Sequence, residues 1–136
     1  LRMNPQIFVP NNIKNLEFFD KCENWGKGIN WYKSFFSVNE SQGKIIGEVS
    51  TEYTKFPDVI NVPANMASII PDAKLIYLIR DPIERIKSHY IHMVGGARED
   101  RDINEALSEL SHNPYIEYSR YSINLNNFYL ITEKIR

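Results

Sequence analysis

The chain is poor in the features that make several protein classes easy to identify. It has one cysteine, Cys22, among 136 residues, so an intramolecular disulfide is excluded and a packed or idle thiol is expected. No apolar run approaches the ~18 residues of a membrane span. No signal peptide is visible, although the sequence begins at Leu1 rather than at Met. The formal net charge is −1, so no global basic field exists and nucleic acid is disfavoured as a partner. No Gly-x-x-x-x-Gly-Lys-Ser/Thr loop is present, which counts against a nucleoside-phosphate kinase. His89, His92 and His112 show no metal-ligand spacing with a carboxylate, and no metal is expected. There is no internal repeat, low-complexity tract or long linker. What remains is ordinary for one globular domain: 43% apolar and 24% charged residues. A chain of this size can bury roughly two-thirds of its unfolded surface.

The most informative stretch is residues 73–90, AKLIYLIRDPIERIKSHY. The apolar run Leu75-Ile76-Tyr77-Leu78-Ile79 suits a buried parallel strand. It stops at Arg80-Asp81-Pro82, where Asp81 is a natural N-cap and Pro82 fits the first helical position. Arg80 is therefore expected where a strand hands over to a helix N-terminus, at the carboxyl end of a sheet, where open α/β proteins bind ligands. A guanidinium, a helix N-terminus and the nearby Ser88 hydroxyl make a phosphate receptor.

The rest of the pattern supports an α/β chain. Residues 44–49 and 74–79 read as strands. Residues 61–70 read as a short helix, and residues 82–94 as a helix closed by Gly95-Gly96. Residues 20–36 read as an interrupted helix with a turn at Gly26 and Gly28. Residues 39–43 read as a loop, residues 103–110 as a helix, and residues 115–135 as a long amphipathic helix broken once. Strand, helix, strand, helix is a βαβα unit with parallel strands and a right-handed crossover.

In this order, the motifs resemble those of sulfotransferases that use 3′-phosphoadenosine 5′-phosphosulfate. Arg80-x-Pro82-x-x-Arg85-x-x-Ser88-x-Tyr90 resembles the family's 3′-phosphate-binding motif. Asn4-Pro5-Gln6-Ile7-Phe8, Phe18-Phe19-Asp20 and Gly47-Glu48-Val49-Ser50-x-x-Tyr53 resemble further family segments. Gly28-Ile29-Asn30-Trp31-Tyr32 is similar to a stretch of the heparan-sulfate-type branch, and Tyr118-Ser119-Arg120-Tyr121 to a later helix start. The resemblance implies a P-loop-like three-layer α/β fold with a central parallel sheet. It also implies that residues 1–136 are a single partial domain. The strand and loop that cradle the 5′-phosphosulfate would lie upstream of Leu1, and the C-terminal part after Arg136.

The resemblance implies sulfuryl transfer to a hydroxyl or amine, with a carbohydrate acceptor favoured; the isolated fragment is expected to be inactive. The alternative is a non-catalytic nucleotide- or glycan-binding relative. The family's catalytic Glu falls at Asn15, which cannot accept a proton at neutral pH. Glu48, at a strand end, is then a candidate base or acceptor-orienting carboxylate; the plain alternative is pairing with a lysine or capping a turn. Glu17 shares a face with Asn15 if that segment is extended, and is the other candidate base, unless simply solvated.

Arg80 and Ser88 would hold the 3′-phosphate. The plain alternatives are a salt bridge from Arg80 to Glu84 and a back-bond from Ser88 to a helix carbonyl. Arg85 is expected to be structural or solvated, and Lys14 either aids the leaving group or lies on the surface. The aromatic group Trp25, Trp31, Tyr32, Phe35 and Phe36 reads as core, or in part as acceptor cleft. A bacterial origin would place the protein in the cytoplasm and a eukaryotic one in the Golgi lumen. The sequence leaves the oligomeric state open.

Overall fold

The computed structural model describes residues 4–10, 15–20, 22–36 and 41–132. Lys14 lies outside them, as does part of the 39–43 loop.

The observed class is α/β with a small parallel sheet. Strand β1 (Ile7–Phe8) pairs in parallel with β2 (Ile45–Ile46), in the register Ile7 to Ile45 and Phe8 to Ile46. Between them lie α1 (Cys22–Gly26) and α2 (Gly28–Lys33), which together form the interrupted helix expected there. Gly28 has a φ of +79°, a conformation glycine adopts without steric cost, and so supplies the turn between the two helices. Helix α3 (Val62–Ile69) begins with Pro63 in its first turn. Helix α4 (Pro82–Gly95) is the longest described element. Then come α5 (Ile103–Ala106), α6 (Pro114–Glu117) and α7 (Tyr121–Thr132). The break expected in the last long helix falls at residues 118–120.

Two expectations need correction. Residues 74–79 adopt no regular secondary structure, and among the described residues they join no sheet. Leu75, Ile76, Leu78 and Ile79 are 52%, 74%, 86% and 63% exposed. A strand needs a neighbour to complete its ladder, and among the described residues this apolar run has none beside it. The helix expected over residues 103–110 is only α5, four residues long, although Asp102 and Glu105 form a complete capping box at its start.

The core is aromatic. Leu16, Phe18, Phe19, Tyr32 and Val62 are buried together, with Trp25, Trp31, Phe35, Phe36 and Tyr53 packed around them. Phe18 stacks on Tyr32 with ring centres 4.5 Å apart and meets Phe19 edge-on at 5.0 Å. This core fixes the 15–20 segment against α2 and the loop after β2.

Candidate functional site

Two polar groups flank the core. The first centres on Glu48, just past β2. The Tyr32 phenol donates to Glu48 Oε2 at 2.6 Å, and the Tyr53 phenol donates to Oε1 at 2.5 Å. The Tyr53 oxygen also accepts the Phe18 backbone N–H at 3.2 Å. Burial raises the Glu48 pKa above its ordinary 4.5; the two phenol bonds oppose this and the nearby Asp20 adds to it. Burial, with the adjacent carboxylate, also raises both tyrosines.

The Glu17 carbonyl is held beside this group by Asn24. The Glu17 φ is +48°, in the left-handed region, so residues 15–17 are not a regular extended strand. The premise that would put Asn15 and Glu17 on one face is therefore not met. Asn24 Nδ2 holds this turn by donating to the Leu16 carbonyl at 3.0 Å and the Glu17 carbonyl at 3.4 Å. Asn15 faces the post-β2 loop, its Nδ2 3.4 Å from Thr51 Oγ1.

The second group gathers around the start of α4. Asp81 caps the helix by accepting the Glu84 N–H at 3.0 Å, and Pro82 occupies the first turn. Arg80 is exposed, and its backbone N–H lies 3.4 Å from the Tyr121 hydroxyl. The salt bridge considered between Arg80 and Glu84 is not formed: Glu84 pairs with Lys87 at 2.8 Å, and no described carboxylate pairs with Arg80. Ser88 is exposed on the second turn of α4. Four other serines, Ser34, Ser68, Ser108 and Ser119, bond back to carbonyls three or four residues earlier. Among the described residues the Ser88 hydroxyl does not.

Arg85 points from α4 toward α6. Its Nη1 lies 3.3 Å from His89 Nδ1, 3.3 Å from the Tyr115 carbonyl and 3.4 Å from Ser119 Oγ. Its guanidinium carbon sits 5.4 Å from the centre of the Tyr118 ring. The Tyr118 hydroxyl donates to Asp58 Oδ2. Burial, followed by the charges of Arg85 and Lys55, lowers the His89 pKa from 6.5 to about 4. His89 is therefore neutral at pH 7, and its Nδ1 can accept from Arg85.

A polar chain connects the two groups. Asn15 reaches Thr51, Thr51 Oγ1 donates to Glu52 Oε1 at 3.3 Å, and Glu52 pairs with Lys55 at 2.7 Å. Lys55 Nζ stands 5.6 Å from the Tyr118 ring centre, the same ring that Arg85 packs against.

Arg80 and Ser88 thus both lie at the start of α4, Glu48 is joined to the 15–20 segment through Tyr53, and the Glu17 carbonyl is held by Asn24. Tyr53, Arg85 and His89 belong to these groups, but the sequence did not mark them as site residues. The Glu48–Tyr53 spacing was one available signal; Tyr32 read only as core. Among the described residues no three His, Cys, Asp or Glu side chains cluster as a metal site. No described helix is long and apolar enough to cross a membrane.

Among the described residues Arg80 has no carboxylate partner and Ser88 makes no bond back to its own helix, and the two stand just before and within one capped helix of an α/β protein. The chain belongs to the sulfotransferase family, whose model matches residues 11–129. It is 33% identical over 97 residues to the mouse bifunctional heparan sulfate N-deacetylase/N-sulfotransferase 3, covering 68% of this chain and 11% of that protein. It is 34% identical over 92 residues to the membrane-associated sulfotransferase kil1 of Dictyostelium discoideum, covering 66% of this chain and 18% of that protein. The fold matches a crystal structure of a sulfotransferase from Alicyclobacillus acidocaldarius with a TM-score of 0.74 at 21% identity, covering 96% of this chain and 60% of that one. The chain therefore spans a small part of its curated relatives and 60% of the solved structure.

Proposed function

We propose that the chain forms the 3′-phosphate side of a P-loop-like sulfotransferase domain that uses 3′-phosphoadenosine 5′-phosphosulfate. The observation that carries this is Arg80: an exposed guanidinium without a described carboxylate partner, placed immediately before the Asp81-capped helix. Ser88, whose hydroxyl is not spent on its own helix, is its companion. The residues present fit a phosphate monoester, because they offer cationic and neutral donors and no described acid competes for Arg80.

In the reaction, the bond between sulfur and the donor's phosphate oxygen breaks. A new bond from sulfur to an acceptor oxygen or nitrogen forms, and the acceptor proton passes to a base. Placed cations stabilise the charge that develops on the leaving phosphate. Asn15 cannot take the proton, which leaves Glu48 and Glu17 as the candidate bases. Both Glu48 oxygens already accept phenol protons, which suits an orienting carboxylate at least as well as a base. A carbohydrate hydroxyl or amine is the proposed acceptor, supported by the similarity to a heparan sulfate N-sulfotransferase. Asn15 favours one second reading, a non-catalytic nucleotide- or glycan-binding relative.

Calorimetric titration of the full-length protein with adenosine 3′,5′-bisphosphate tests the donor site. Arg80→Ala should weaken binding at least tenfold, ~1.4 kcal/mol. Unchanged affinity in that variant would remove Arg80 from the site. Transfer of labelled sulfate to a polysaccharide separates the two readings, since the binding module retains the nucleotide affinity but yields no labelled product.

A further inference from the structure

Glu17 has a φ of +48°, a left-handed conformation that is costly for a residue with a Cβ. Ala97, also left-handed, lies in the turn that closes α4. Glu17 closes no helix, since residues 15 and 16 before it are irregular. Its conformation is maintained by side chains from three other parts of the fold. Asn24 of α1 donates to the Leu16 and Glu17 carbonyls at 3.0 and 3.4 Å. Tyr53, beyond β2, accepts the Phe18 N–H at 3.2 Å. Asn65 of α3 donates to the Phe19 carbonyl at 2.8 Å. Each of the four consecutive residues 16–19 thus has a backbone group held by a side chain. Lys27 Nζ in turn donates to Asn24 Oδ1 at 2.9 Å, which fixes the Asn24 amide. Phe18 and Phe19 are fully buried, whereas Glu17 is only half-buried. A strained residue over-determined by its surroundings is found where a side chain must be held in one place.

The neighbouring carboxylates are less suited to take up a proton. Glu48 accepts a phenol hydrogen bond at each oxygen, so a proton arriving on either one competes with the phenol proton already there. Asp20 has one oxygen buried away from solvent. We propose that Glu17 is the base that takes the acceptor proton, that Asn24, Tyr53 and Asn65 are positioning residues that hold it, and that Glu48 acts through Tyr53. This rests on the sulfotransferase reading above and decides between its two candidate bases. As the bond from sulfur to the acceptor oxygen or nitrogen forms, the acceptor's proton passes to a Glu17 oxygen. The electron pair of the breaking sulfur–oxygen bond leaves with the donor's phosphate. The left-handed turn is then stability given up for placement.

The test follows sulfate transfer by the full-length protein from labelled 3′-phosphoadenosine 5′-phosphosulfate to an unsulfated polysaccharide carrying hydroxyls and free amines. Glu17→Gly removes the carboxylate and relieves the backbone. It should lower kcat about a hundredfold. Its affinity for adenosine 3′,5′-bisphosphate should be unchanged, and its urea midpoint no lower than that of the wild type. Glu17→Gln, which keeps the shape and the turn, should lose as much kcat. Added formate should restore part of the activity of Glu17→Gly, because a free carboxylate can occupy the emptied space. It should restore none in Glu48→Ala, whose carboxylate acts only through Tyr53. Asn24→Ala should lower kcat with KM unchanged and gain nothing from formate, since its base is present but misplaced. A Glu17→Gln variant that keeps more than about a tenth of kcat, or formate rescue of Glu48→Ala in place of Glu17→Gly, overturns the proposal. A wild type that binds the nucleotide but transfers nothing also overturns it and leaves the donor site standing. A wild type that does not bind the nucleotide removes the donor reading itself, and this base with it.

Discussion

Tyr53 donates its phenol proton to Glu48 at 2.5 Å while accepting the Phe18 N–H at 3.2 Å. One hydroxyl thus satisfies a core amide and a partly buried carboxylate at once. It ties the 15–20 segment, where the family resemblance places a base, to the end of β2. Tyr32 closes the other side of the carboxylate and stacks on Phe18, so the ring packing and the polar clamp reinforce each other.

Removing either phenol should expose the difference between them. Tyr53→Phe strands both the Phe18 amide and one Glu48 oxygen and should cost about 1–3 kcal/mol. Tyr32→Phe strands only the carboxylate oxygen and should cost less. Urea unfolding of both variants measures the order, and equal costs would show that the Phe18 contact contributes nothing.

Glu48 should make stability depend on pH in an unusual direction for a carboxylate. Its folded pKa lies above the ordinary 4.5, chiefly because of burial. Its contribution is therefore fully present below 4.5 and is lost as the pH rises through the folded value. Glu48→Gln cannot ionise and should keep its stability over that window, so the difference between wild type and variant narrows or reverses as pH climbs. A wild type that gains on the variant with rising pH would mean that the phenol bonds outweigh burial.

Much of the α4 start was legible because its determinants are local. The Asp81 cap and Pro82 in the first turn follow from adjacent residues, whereas the sheet strand expected before Arg80 does not form among the described residues. The Tyr32–Glu48 bond spans 16 residues and the Arg85–Tyr115 bond spans 30, distances at which side-chain partners leave no periodic signal. The apolar run at 75–79 reads as a strand from composition, but becoming one depends on a neighbouring strand that no local pattern encodes. Ser88 was ambiguous in sequence, since a helix serine ordinarily bonds back to its own helix. The structure separates it from Ser34, Ser68, Ser108 and Ser119 by the absence of that bond among the described residues.

The left-handed residue after α4 offers a stability test away from the site. The Arg98 N–H bonds to the Met93 carbonyl at 2.9 Å, a helix-closing turn that places Ala97 at a φ of +51°. Gly95 and Gly96 precede this position, so the strained conformation falls on a residue with a Cβ. Ala97→Gly relieves a left-handed penalty of roughly 1–2 kcal/mol and gives back part of it as unfolded-chain entropy. A net gain of about 0.5–1 kcal/mol in urea unfolding is expected. No gain would mean that the turn relaxes without the glycine.

His89 reports on Arg85 without any ligand. Its pKa is held near 4 by burial first and by the Arg85 charge second. Because the folded value lies below 6.5, the His89 contribution to stability is complete above 6.5 and is lost as the pH falls toward 4. The imidazole C–H resonances, followed by NMR against pH, should titrate far below those of an ordinary histidine. Arg85→Met removes the neighbouring charge and should move the midpoint up toward 6.5, while leaving the burial component in place. Arg85→Lys should hold the midpoint near the wild-type value if the ammonium occupies the same space. A midpoint that does not move in Arg85→Met would place Arg85 too far from His89 to act on it, and with that the 3.3 Å contact between them would fail as the anchor of the guanidinium.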